Sequence, residues 1–103
     1  MEKKNLHESE DSVTEAAIME LCSLIKKADD VELTYDFFNC LFTKAELKEF
    51  SQRWLLVKEI AAGTTQREIA NKYGMSLCKI TRGSKELNKP ESAFRKLLDV
   101  LKS

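Results

Sequence analysis

The stretch from Thr65 to Ser84 constrains the fold more than any other part of the chain, because it reads as two short helices joined by a tight turn. Thr65-Gln66-Arg67-Glu68 has the form of a capping box: the threonine hydroxyl accepts from the amide three residues on, and the glutamate reaches back to the cap amide. Ile69 and Tyr73 fall four apart on one helical face, and Ala70 offers only a methyl where a second helix would cross. Gly74 supplies the turn, since glycine takes a left-handed backbone at little steric cost. Leu77 and Ile80 are placed to anchor the second helix against the first. This is helix-turn-helix spacing, with the second helix offered to a DNA major groove.

Two helices with a glycine at the corner can match that spacing and merely pack a core, so the polar residues decide. Those pointing away from the Ile69, Tyr73 and Ile80 face are Gln66, Arg67, Asn71, Lys72, Lys79 and Thr81, a set suited to phosphate and base-edge hydrogen bonds. Charge agrees with them. The 103 residues carry a formal net charge of +0, but residues 1–50 hold 6 Lys+Arg against 12 Asp+Glu, and residues 51–103 hold 11 against 5. A basic half is the electrostatic footprint of a nucleic-acid site, and an acidic half facing away limits nonspecific sticking.

Residues 1–10 lack periodicity and read as a flexible N-terminal arm, followed by a single helical domain over 11–103 with the helix-turn-helix at about 65–83. Val13, Ala16, Ala17, Met19, Leu21, Leu24 and Ile25 predict a helix from near Ser12 to about residue 28, closed by Lys26 and Lys27. A short helix over Leu33 to Leu41 carries Tyr35, Phe37 and Phe38. Thr43-Lys44-Ala45-Glu46 is a second capping box. It opens the longest helix, to about Ala62, with Leu47, Phe50, Trp54, Val57 and Ala61 along one side. Asn88 is expected to cap the last helix, with Pro90 in its first turn and Phe94, Leu97, Leu98 and Leu101 as its apolar stripe. The fold class is therefore all-α, with six helices. Their apolar faces exceed what one chain would cover, which predicts a homodimer with intertwined helices.

Cys22, Cys40 and Cys78 are odd in number, far apart and without a C-x-x-C pair, so neither a disulfide framework nor a metal site is expected. Cys22 and Cys40 are expected to act as small apolar residues, and Cys78 to be exposed on the second motif helix. No apolar run near about 18 residues and no leader is visible, which points to a cytoplasmic protein without a membrane partner. The lone His7 lies in the arm and no nucleophile and base stand together, so neither an enzyme nor a cofactor is expected.

From about Leu41 to Leu101 the chain resembles the Trp repressor family, through Phe42-Thr43, Arg53, Gln66-Arg67-Glu68 and above all Ile80-Thr81-Arg82-Gly83-Ser84. The resemblance implies an intertwined homodimer that binds operator double-stranded DNA when L-tryptophan, its corepressor, is bound, shutting down genes for making or importing that amino acid. Arg53 and Arg82 would lie above and below the indole, where planar guanidinium groups stack well. Arg82, helped by Thr43, would take the ligand carboxylate. Gly83 would leave room for the indole edge and Val57 would line the wall. Carbonyls near Phe38, Cys40 and Phe42 would accept from the ammonium. Gln66, Arg67, Leu77, Cys78, Lys79 and Thr81 would meet DNA, in reading helices set about 34 Å apart in such dimers, the Trp repressor among them. Tryptophan would act by shifting the reading heads toward the spacing the groove requires.

The chain also departs from the family. The connection from Gly63 to Gln66 is one residue shorter. Glu86 stands where a serine commonly meets the ligand ammonium, and Leu77, Cys78 and Lys79 replace smaller or uncharged residues. Arg53 and Arg82 have a competing use as surface partners of Glu49 or Glu86. Two other functions compete as well: a regulator of the same fold answering to another ligand or to none, and a protein-interaction module built on the acidic half.

Overall fold

The computed structural model describes residues 6–103, with side chains described from residue 10 onward. Among these it has six α-helices and no strand: α1 (Leu6–Ala28), α2 (Val31–Leu41), α3 (Lys44–Ala61), α4 (Gln66–Tyr73), α5 (Leu77–Leu87) and α6 (Ala93–Lys102). The all-α expectation holds. α1 begins at Leu6 and not near Ser12. No glycine or proline interrupts residues 6–12, and extending a formed helix fixes only one residue per added hydrogen bond. The rest of the expected arm, residues 1–5, lies outside the described residues.

Among the described residues, those up to Leu41 and those from Phe42 to Ser103 form two compact units. In the first, the Asp30 carboxylate accepts from the Leu33 amide at 3.0 Å, so α2 opens earlier than the Leu33 expected from its apolar pattern. No residue of α2 is fully buried, and Val13, Ile18, Met19 and Leu24 of α1 are exposed along with Val31, Leu33, Tyr35 and Leu41 of α2. Among the described residues these two helices form no buried cluster of their own.

In the second unit α3 is the spine, and Leu56 and Val57, adjacent in sequence, diverge by about 100° around its axis into two clusters. Leu56 joins Ile69, Met75 and Ile80, with Ile60, Ala70 and Tyr73 packed against them. Val57 joins Leu87 and Leu98, flanked by Trp54 and Phe94. Leu56 lies outside the single stripe read along this helix, because α3 is covered on two sides; Phe50 and Ala61 of that stripe are exposed. Ile69 and Ile80 are wholly buried, whereas Leu77 is 57% exposed, so Met75 from the turn anchors α5 in its place.

Both capping boxes form. Thr43 N–H donates to Glu46 Oε1 at 2.9 Å and Glu46 N–H to Thr43 Oγ1 at 3.1 Å. The reciprocal pair at Thr65 and Glu68 measures 3.2 Å in each direction. Gly74 ends α4 with φ of 64°, the left-handed value the turn requires, and Ser76 caps α5 by accepting from Lys79 N–H. The start of α6 differs from the expectation. Asn88 closes α5 by donating its backbone N–H to Ser84 O at 3.0 Å, and Ser92 is the cap of α6, accepting from Arg95 N–H. Pro90 sits in the intervening turn, since proline disfavours helical geometry in the residue before it.

Candidate ligand cavity and nucleic-acid face

A cavity of about 590 Å³ opens between α3, α5 and the turn into α6. That is within the range of about 300–1,000 Å³ usual for small-molecule sites. Arg53 and Val57 reach it from α3, and Arg82, Gly83 and Glu86 from α5, so five of the expected ligand residues line one space. Thr43 and Phe42 are not on its wall. The Thr43 hydroxyl caps α3, and the Phe42 ring stacks on Phe50 with centroids 5.2 Å apart. Phe38 and Cys40 belong to the first unit.

The close approach of α5 to α3 depends on Gly83. A Cβ there would lie 2.7 Å from Leu56 Cδ2, so the missing side chain makes room for Leu56. Leu56 and Gly83 both line the cavity. Arg82 stands on its wall with no ion pair among the described residues. Arg53, its side chain 72% exposed, is 3.6 Å from Glu49 one turn earlier, and Glu86 is held by Lys89 at 2.8 Å. The competing use of Arg53 is thus partly realised; that of Arg82 is not.

Lys79 is placed differently from its expected DNA-facing position. With about 100° between successive residues, positions 79, 82, 83 and 86 share the cavity side of α5, and Cys78, Thr81 and Lys85 share the outer side. Lys79 Nζ lies 3.0 Å from Glu49 Oε2, spanning from α5 to α3 at the cavity wall. The Lys79 hydrogen bond and charge, with a smaller contribution from Arg53, hold the Glu49 carboxyl below its usual range.

The outer face carries the remaining candidates. Gln66, Arg67 and Asn71 of α4 and Leu77, Cys78 and Thr81 of α5 are all exposed. Lys72 is occupied: its Nζ pairs with Glu59 Oε2 at 2.8 Å. The same carboxylate accepts the Tyr73 hydroxyl at 2.6 Å and the Thr64 hydroxyl at 2.8 Å. Lys72, then Tyr73, then Thr64 push Glu59 down to about 2. Glu59 therefore ties the shortened connection and the end of α4 to α3. All three cysteines are exposed, Cys78 as expected but Cys22 and Cys40 not, because the apolar faces of α1 and α2 stay uncovered within the chain. Among the described residues no group could hold a metal ion and no helix is long and apolar enough to cross a membrane.

Sequence reasoning named Glu49 only as a surface partner for an arginine and missed Glu59 as an organiser of the site. The spacing of Glu49 four residues before Arg53 was the one local signal for the first. Nothing local marks Glu59, whose partners come from 5 to 14 residues away.

Residues 16–102 match the sequence model of a family described as Trp repressor protein. A Trp operon repressor homolog of Chlamydia caviae is 42% identical over 84 residues, which span 81% of this chain and 80% of the relative. A protein of the same name from Chlamydia trachomatis serovar D is 35% identical over 83 residues, spanning 80% and 85% of the two chains. One from Xylella fastidiosa is 32% identical over 74 residues, 71% of this chain and 80% of the relative.

Proposed function

The chain belongs to the Trp repressor family, one of transcriptional regulators and not of enzymes, and from that premise we propose that it is a homodimeric DNA-binding repressor with L-tryptophan as corepressor. Its targets are genes for tryptophan synthesis or uptake, and it works in the cytoplasm where that DNA is. The observation that carries the ligand is the pairing of Arg53 and Arg82 across one cavity, with Arg82 free of any acidic partner among the described residues. A guanidinium without a protein anion is the group a ligand carboxylate seeks, and the planar faces of the two arginines suit an indole between them. Within the cavity, Glu86 takes the ammonium and Val57 meets the ring.

The uncovered apolar residues of α1 and α2, with Leu97, Val100 and Leu101 of α6, support the dimer, since a second copy is the simplest partner to bury them. The outer face of the motif, Gln66, Arg67, Leu77, Cys78 and Thr81, meets the operator; Lys79 is assigned to the cavity side. The ligand holds α5 against α3 and so favours the head position that fits the groove.

Calorimetric titration with L-tryptophan tests the assignment. Saturable binding at one site per chain, lost in Arg82→Ala with helix content retained, is the expected result. Binding that survives Arg82→Ala unchanged would refute this use of the arginine. A second reading, the same fold answering to another ligand or to none, is favoured by Glu86, a cavity carboxylate already engaged by Lys89. It predicts no heat with tryptophan and DNA affinity indifferent to it.

A further inference from the structure

We infer that the Glu49–Lys79 ion pair is a clasp that holds the reading helix on α3 before any ligand enters, making Glu49 a positioning residue for DNA recognition. The inference rests on the reading above, in which a ligand acts by fixing α5 against α3. Glu49 stands on α3 one turn before Arg53, and Lys79 stands on α5 one turn before Arg82. The pair therefore bridges the same two helices as the two cavity arginines, one turn along. At 3.0 Å it is a direct charge-assisted contact, and the second carboxylate oxygen faces Arg53 at 3.6 Å.

A single carboxylate thus joins a residue of the ligand cavity to a residue of the reading helix. With the clasp closed, part of the work assigned to the ligand is already done in its absence, so ligand-free DNA affinity rises and the gain on ligand binding shrinks. The effect is bounded by exposure. The side chains of Lys79 and Glu49 are 52% and 38% exposed, and pairs of this kind shift an equilibrium by about two- to fivefold.

The test compares the full chain with Glu49→Gln and with the charge swap Glu49→Lys/Lys79→Glu. Amide hydrogen exchange, measured without DNA or ligand, should accelerate about two- to fivefold across α5 relative to α6 in Glu49→Gln and return toward wild type in the swap. DNA affinity, read by fluorescence anisotropy with and without saturating L-tryptophan, should show the ligand-induced gain increased by a similar factor in Glu49→Gln. The ratio cancels the direct effect of changed charge on DNA attraction. Unchanged exchange in α5, or a gain equal to wild type in Glu49→Gln, overturns the clasp. If the wild-type chain shows no response to tryptophan, the ligand assignment fails instead, and the exchange measurement alone decides the clasp.

Discussion

Three donors converge on the carboxylate of Glu59, and each favours its charged form. Its pKa of about 2 against an ordinary 4.5 means that the folded chain binds this proton less readily than the unfolded chain. Its stabilising contribution is complete above about pH 4.5 and is lost as the pH falls from there through about 2. Thermal melts should therefore show a falling midpoint across that window, and Glu59→Gln should flatten the fall while lowering the midpoint at neutral pH. Gly83 makes the opposite kind of contribution, through an absent side chain. Gly83→Val drives a branched side chain into Leu56, and chemical denaturation should register a loss of about 1–3 kcal/mol, the usual cost of overfilling a packed contact. The glycine was legible in the sequence as functional, but its reason was not: the distance to Leu56 exists only once α5 has crossed α3.

The helices α3, α4 and α5 begin at side chains that cap them, and two of those starts could be read directly because a capping box is complete within four residues. Thr65→Ala removes the acceptor for Glu68 N–H and should cost about 1 kcal/mol in denaturant melts, with the loss concentrated in protection of the α4 amides. Local signals also misled at this scale. Asn88 followed by Pro90 has the composition of a helix start, yet Asn88 closes α5 and Ser92 opens α6. Leu77 had the right residue type to anchor α5, but the cap at Ser76 turns it outward and Met75 inward. The same helix presents Arg82 and Lys79 to the cavity and Cys78 and Thr81 to the outside. Under the proposed function, that division makes α5 at once a ligand wall and a reading surface.

Among the described residues a core builds up in residues 42–103, around α3, while many apolar residues of α1 and α2, with Leu97, Val100 and Leu101 of α6, stay exposed. Sedimentation should accordingly find a dimer at micromolar concentration and no folded monomer of comparable stability. The excess of apolar surface was readable from residue counts. What remained illegible were the cross-helix ties of Glu49 and Glu59, which depend on the tertiary arrangement. DNA affinity should fall steeply with salt, with a log–log slope of about −0.9 per phosphate contact, and Arg67→Ala should reduce that slope by about 1. The central claim is that one chain joins a DNA reader to a tryptophan cavity through α5. Fluorescence anisotropy of a duplex selected by the protein from a randomised pool, titrated with and without L-tryptophan, tests this most directly. Tryptophan should tighten binding within the range of about 5- to 150-fold typical of coupled sites, and Arg82→Ala should abolish the gain. Equal affinity with and without tryptophan would contradict the account.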